Sequence, residues 1–184
     1  MVAEVNGAAA NIGMSIEGST GGLFTVNSDG TYSFDANGDF EDLDVGETRT
    51  TTITYLLSDG EGGTDIATVT VSVQGANDAP ILVPGGEIPL QNEQDGTDIT
   101  PLDVTGAFDD VDGEDLTFSS PNLPAWMMID PVTGIITGTS PADASQGGPN
   151  GDGVYPIIIV ATDPDGESVE TTVTYTLTNP PDQE

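Results

Sequence analysis

Apolar and polar residues alternate with a period of two along most of this 184-residue chain. In residues 64–74, TDIATVTVSVQ, Val69, Val71 and Val73 fall on one side and Thr68, Thr70 and Ser72 on the other. Successive side chains of an extended chain point to opposite faces, so the pattern predicts a half-buried strand. The preceding segment, TTTITYLLS, places Ile53, Tyr55 and Leu57 on one face, and VYPIIIVAT does the same with Ile157, Ile159 and Ala161. Each leads through an acidic, glycine-containing turn into a partner strand, which predicts two hairpins. Further strands are expected around GLFTV, TYSF, LTFSS and GIITGT, punctuated by the turn sequences NSDG and DPVTG. No segment sustains a helical period. The predicted class is all-β and antiparallel, built as Greek-key sandwiches.

The pattern repeats. Residues 58–74 align without a gap on residues 162–178 at an offset of 104, with Asp59 on Asp163, Val69 on Val173, Val71 on Tyr175 and Val73 on Leu177. Two sandwich modules in tandem are expected, over residues 1–76 and 77–184. Between them QGANDAPIL forms a short, stiff linker, in which Gly75 ends a strand and Pro80 fixes an extended entry to the next. The second module reads as complete. The first starts at a later strand, VAEVNGAAANIG, without an opening strand or acidic loop, as in a truncated module or one split around an insertion. It should therefore have an open or differently completed sheet edge, and an incomplete cation site near Asp59.

Charge changes this picture. Against 32 Asp and Glu stand Arg49 and no Lys or His, a formal net charge of -31. Disordered acidic tracts lack such β-branched periodicity, so bound cations are the expected means of neutralisation. A chain without Lys binds neither nucleic acid nor anionic membrane surfaces, and no stretch reaches the roughly 20 apolar residues of a spanning helix. With no Cys and no His, thiolate and imidazole metal sites are excluded, leaving hard, oxygen-ligated cations such as calcium. The loop FDDVDGED offers Asp109, Asp110, Asp112 and Glu114. Alternate residues of an extended loop point the same way, so Asp110 and Asp112 can converge on one ion. Asp115 and Pro121 stand where an EF-hand requires Gly and Glu, which excludes that motif. In the linker, Asn77 and Asp78 offer further oxygens.

Catalysis is not expected. Ser and Thr abound, but no His or Lys is present to activate one. Carboxylate pairs need a cleft to hydrolyse glycosides, whereas these map to turns. GGPNGDGVY is one glycine-rich loop without the period of a β-roll. Trp126, beside Met127 and Met128, reads as a core anchor rather than a sugar platform. Thr50, Thr51, Thr52, Thr54, Thr68 and Thr70 read as solvent-facing strand formers rather than an ice-ordering array.

Residues 20–80, with NSDGTYSFDANGDFEDLDVGETRT and SDGEGGTDIATVTVSVQGANDAP, resemble the VCBS-type repeats of giant RTX adhesins. Residues 79–180, with FDDVDGEDLTFS, LPAWMMIDPVTGIITGTSPADASQGGPNGDGVY and VATDPDGES, resemble the dystroglycan-type cadherin-like, or Putative Ig, domains of the same proteins. The resemblance implies a monomeric extender segment of a cell-surface adhesin, exported by a type I route. There it would contact neighbouring modules and hold ligand-binding or ice-binding domains away from the cell, as in biofilm attachment. The alternative it leaves is a carbohydrate-, peptide- or ice-binding module, or the scaffold of an inserted lectin-like domain. Such a fold implies calcium held by Asn77, Asp78, Asp110, Asp112 and Asp163, with Asp109 and Asp165 nearby. In cadherins a loop comparable to DFEDLDVGET donates an acidic ligand, which implies Asp44 or Glu47 in this chain.

Overall fold

The computed structural model describes residues 1–179; the final stretch expected in the second module, residues 180–184, lies outside them. The chain divides into two units, Met1–Asp78 and Ala79–Glu184. Asn77 and Asp78 are thus the last residues of the first.

In the first unit the alternating segments become six strands: β1 (Val2–Val5), β2 (Ser15–Glu17), β3 (Leu23–Val26), β4 (Tyr32–Asp35), β5 (Thr48–Ser58) and β6 (Thr64–Gln74). One sheet has the order β1-β5-β6, the other β2-β3-β4. The β5–β6 hairpin pairs without interruption from Thr48↔Gln74 to Ser58↔Thr64. Its turn is held by Asp59, whose Oδ1 accepts the amides of Glu61 (2.7 Å) and Gly63 (2.9 Å). Between the sheets lie Val2, Val5, Phe24, Val26 and Ile53, with Phe34, Tyr55, Leu57, Val69 and Val71 packed against them but only partly buried. The crossover from β4 to β5 buries Phe40 and Leu43, and Arg49 lies 5.9 Å over the Phe40 ring while pairing with Asp42 at 2.8 Å.

Thr51 corrects the expectation that it faces solvent. It is fully buried, and its hydroxyl donates to the Gly21 carbonyl at 2.8 Å. Strand periodicity explains this, since Thr51 lies two residues from Ile53 and shares its inward face, while Thr50 and Thr54 are exposed.

The second unit has nine strands: β7 (Ile81–Leu82), β8 (Gln91–Gln94), β9 (Leu102–Asp103), β10 (Phe108–Asp109), β11 (Thr117–Ser119), β12 (Met127–Ile129), β13 (Ile135–Gly138), β14 (Val154–Thr162) and β15 (Ser168–Thr178). The main sheets have the orders β11-β14-β15-β8 and β12-β13-β9, and β7 pairs with β10. All pairings among these strands are antiparallel but one, since β8 runs parallel to β15. The polar run QNEQ has no apolar alternation to reveal it. The core is larger than in the first unit, and includes Phe108, Phe118, Ile136, Ile157, Ile159, Ala161, Val173, Tyr175 and Leu177. Trp126 packs against its margin, edge-on to Tyr155 at 5.6 Å. The helical segments are three-residue 3-10 turns at Ala9–Asn11, Thr105–Ala107 and Ala144–Gln146.

The burial difference should be measurable. Ile159→Ala should destabilise the second unit by about 2–5 kcal/mol, because a fully buried side chain leaves a cavity. The half-covered Val71→Ala should cost the first about 1 kcal/mol or less. Urea unfolding checks both, followed by Trp126 fluorescence for the second unit and by β5 amide signals for the first.

In the β12–β13 turn, Asp130 Oδ1 accepts the amides of Val132 and Thr133, both at 2.9 Å. The Thr133 amide, then that of Val132, holds this carboxyl below its usual range. A lowered folded pKa stabilises fully above the unfolded value of about 3.9, and that stability is lost as pH falls through the folded value. Asp130→Ala should therefore lower the melting temperature at neutral pH and match the parent chain in strong acid.

Candidate metal centre

An acidic loop and a hairpin turn of the second unit are brought together by strand pairing. Phe108 anchors the loop by packing its ring 5.8 Å from that of Phe118. Beyond it the backbone reverses over Asp110–Gly113, with the Gly113 amide donating to the Asp110 carbonyl at 3.1 Å. Gly113 has φ 74°, a conformation that favours glycine. The Asp112 amide donates to Asp110 Oδ1 at 3.0 Å and fixes that carboxylate. Thr117↔Thr162 pairing of β11 with β14 then sets this loop beside the turn that follows Thr162. There Asp163 Oδ1 accepts the amides of Gly166 (2.6 Å) and Glu167 (2.8 Å).

Carboxylate oxygens of Asp110, Glu114 and Asp163 consequently all lie within 4.8 Å of one another. Asp110 is 7% exposed and Asp163 4%, so water screens this repulsion poorly. Burial pushes the Asp110 carboxyl above its usual range; the Asp112 amide opposes this, and the charges of Asp112, Asp163 and Asp109 reinforce it. Asp110 Oδ2 is buried and has no hydrogen-bond partner among the described residues. Beside these groups opens a cavity of about 510 Å³, lined in part by Asp109, Glu114, Asp115 and Phe118.

No Lys, Arg or His occurs in the second unit to neutralise this cluster. Its donors are all oxygen, and Oδ2 of Asp110 is buried without a hydrogen-bond partner. That donor set fits a hard divalent cation with six to eight oxygen ligands, as calcium takes, and does not suit a soft metal.

Of the residues expected to bind, Asp110 and Asp163 converge, while Asp112 contributes the amide that positions Asp110. Asp109 at the end of β10 and Asp165 at the tip of the β14–β15 turn are exposed. The remaining candidates belong to the first unit. Asn77 and Asp78 follow β6, and Asp44 and Glu47 lie in the β4–β5 crossover, where the Glu47 amide donates to the Asp44 carbonyl at 3.0 Å. Glu114 stands in the acidic run but was not singled out as a ligand; its signal is the position immediately after Gly113, where the turn swings it back towards Asp110.

Asp95 was missed altogether, because QNEQDGTD carries no dense acidic run. It is a third buried carboxylate, accepting the Ser145 amide at 2.6 Å through Oδ1 with Oδ2 unpartnered. Its own amide donates to Thr178 at the far end of β15 from Asp163, so an 11-residue strand, about 35 Å long, separates the two acidic ends.

Residues 79–178, over half of the chain, match the model of the family described as Putative Ig domain. The chain belongs to this family. Residues 3–72 of this Putative Ig domain protein match a second model, described as Bacterial Ig domain. No curated protein matches it. Among solved structures it is similar to human mucin-like protocadherin EC1-2, at 14% identity and TM-score 0.54 over 85% of this chain and 78% of that one. It also resembles protocadherin gamma B7 domains 1-4, at 16% identity and TM-score 0.51 over 97% of this chain and 42% of that one. The chain spans less than half the length of the first solved structures it matches, 42% and 23%. At these identities the likeness establishes the fold: tandem cadherin-like, immunoglobulin-like β-sandwiches. Among the described residues no helix is long and apolar enough to cross a membrane.

The ligating and structural roles should separate by substitution. Asp163→Ala removes the acceptor of two turn amides and should cost about 1–3 kcal/mol without calcium, and more in its presence because a ligand is lost as well. Glu114→Gln removes one charge of the cluster and should weaken calcium binding, as read by titration calorimetry and by a smaller calcium-dependent rise in melting temperature.

Proposed function

We propose that this chain is a calcium-stabilised spacer segment of an extracellular adhesin, without catalytic activity. The observation that carries the reading is the convergence of Asp110, Glu114 and Asp163 around a buried carboxylate oxygen that has no hydrogen-bond partner. A bound calcium ion would supply the positive charge that the second unit's side chains lack, held by these carboxylates. Asp112 would act by positioning Asp110. Contributions from Asn77, Asp78, Asp109, Asp165, Asp44 and Glu47 rest on sequence alone. The adhesin context, type I export and neighbouring modules as partners rest on the resemblance to RTX adhesin repeats, and the sandwich fold and bacterial Ig match support a place outside the cell.

Calcium binding and folding are then coupled, because ion affinity for the folded state adds directly to stability. With a dissociation constant of about 10⁻⁴–10⁻³ M, usual for extracellular modules, roughly 10 mM calcium should add about 1.4–2.7 kcal/mol. Chelator should remove the increment. Asp110→Asn gives the sharper test, since it relieves buried repulsion and also deletes a ligand. The variant should melt at or above the parent temperature in chelator, and below it in calcium. A parent chain whose melting is indifferent to calcium would sink the proposal.

A further inference from the structure

An asparagine followed by glycine can lose its side-chain amide without any enzyme. The glycine nitrogen attacks the asparagine Cγ and ammonia leaves. Water then opens the succinimide so formed, either to aspartate or to isoaspartate, in which the main chain runs through the former side chain. Glycine permits the attack because it has no Cβ to crowd it. The step needs a glycine nitrogen that is free to attack and an asparagine side chain that is free to swing towards it.

Three such pairs occur in this chain, Asn6–Gly7, Asn37–Gly38 and Asn150–Gly151, and all three asparagines are exposed. Exposure therefore does not rank them, but hydrogen bonding does. The first two pairs sit at the centres of matching turns. Asn6 and Gly7 have φ 44° and 75°, and Asn37 and Gly38 have φ 56° and 75°, the positive pair that a type I′ turn requires. The turns close alike, with the Ala8 amide donating to the Val5 carbonyl at 3.1 Å and the Asp39 amide to the Ala36 carbonyl at 3.0 Å. Neither glycine amide has a hydrogen-bond partner among the described residues.

The side chains differ. Asn6 Oδ1 accepts both the amide and the hydroxyl of Thr54 at 3.1 Å, which ties its Cγ to β5. The Asn37 side chain makes no hydrogen bond among the described residues, and only its backbone amide is held, by Asp35 Oδ1 at 3.0 Å. Asn150 fails the other requirement, because the Gly151 amide donates to the Gly148 carbonyl at 3.2 Å.

We propose that Asn37 is a modification site, the asparagine at which this chain spontaneously deamidates to aspartate and isoaspartate. The isoaspartyl linkage lengthens the main chain by a methylene carbon just ahead of Gly38 and Asp39. Asp39 Oδ2 accepts the Gly22 amide at 2.7 Å, so conversion slackens a tie between the β4–β5 crossover and the start of β3. Each conversion also adds a negative charge between Asp35 and Asp39.

The test incubates the full chain in mildly alkaline buffer and follows each pair by peptide mapping with mass spectrometry, beside an end-blocked peptide of residues 34–40. Asn37 should convert about two- to tenfold faster than Asn150, and at least that much faster than Asn6, because the tethered pairs must first break a hydrogen bond. In urea the three rates should converge. Thr54→Val removes one of the two bonds on Asn6 and keeps a β-branched strand residue, so it should raise the Asn6 rate about two- to tenfold and leave Asn37 unchanged. The Gly22 amide should exchange several-fold faster in the converted chain. Conversion of Asn6 or Asn150 that equals or outpaces Asn37 in the folded chain overturns the proposal, as does an Asn37 that stays intact while the free peptide converts.

Discussion

Uncompensated negative charge is the constraint on which the rest of this protein turns. Apolar burial alone accounts for two β-sandwich cores, but each sandwich must also dispose of its carboxylates with almost no basic side chains, Arg49 in the first unit and none in the second. The structure uses two devices. Most turn aspartates are satisfied by the backbone: Asp59, Asp103 and Asp130 each accept amides from residues two to four positions ahead, which holds their carboxyls below the usual range. Asp110 differs, because one oxygen receives an amide while the other remains buried and unpartnered. Local hydrogen bonding stabilises the charge of the first kind. The second kind is the one that the proposed cation would offset.

Where chemistry is local, the sequence was legible. Val–Thr alternation marks β6 and Ile157, Ile159 and Ala161 mark the buried face of β14, because strand burial has a period of two. The acidic turns could be read as places where oxygens gather, and Asp110 with Asp163 follows from the repeat and the sandwich topology. Glu114 was harder to rank, since its approach depends on the left-handed turn at Gly113 and on the register of β11 with β14. β8 and Asp95 were invisible for a related reason. QNEQ carries no apolar pattern, and its place is set by an edge of β15 that lies more than eighty residues away. Thr51 shows the opposite failure, in which a polar residue among threonines faces inward because periodicity overrides polarity.

The two units differ in how far their final hairpins are covered. Their final hairpins match residue for residue, down to an aspartate collecting two turn amides. Yet the same inward positions are sealed in one unit and half-open in the other, since burial in a β-sandwich depends on the strand next door as much as on the residue itself. The match of one family model to each unit is consistent with this shared plan.

That inequality has a mechanical side. If tension is applied along the chain, both units carry the same force, and the one with the smaller sealed core yields first. The slender core around Phe24 and Ile53 makes the first unit the place where extension, or a protease seeking an opened strand, gains entry. The second unit, with more of its apolar face sealed, then behaves as the stiffer element.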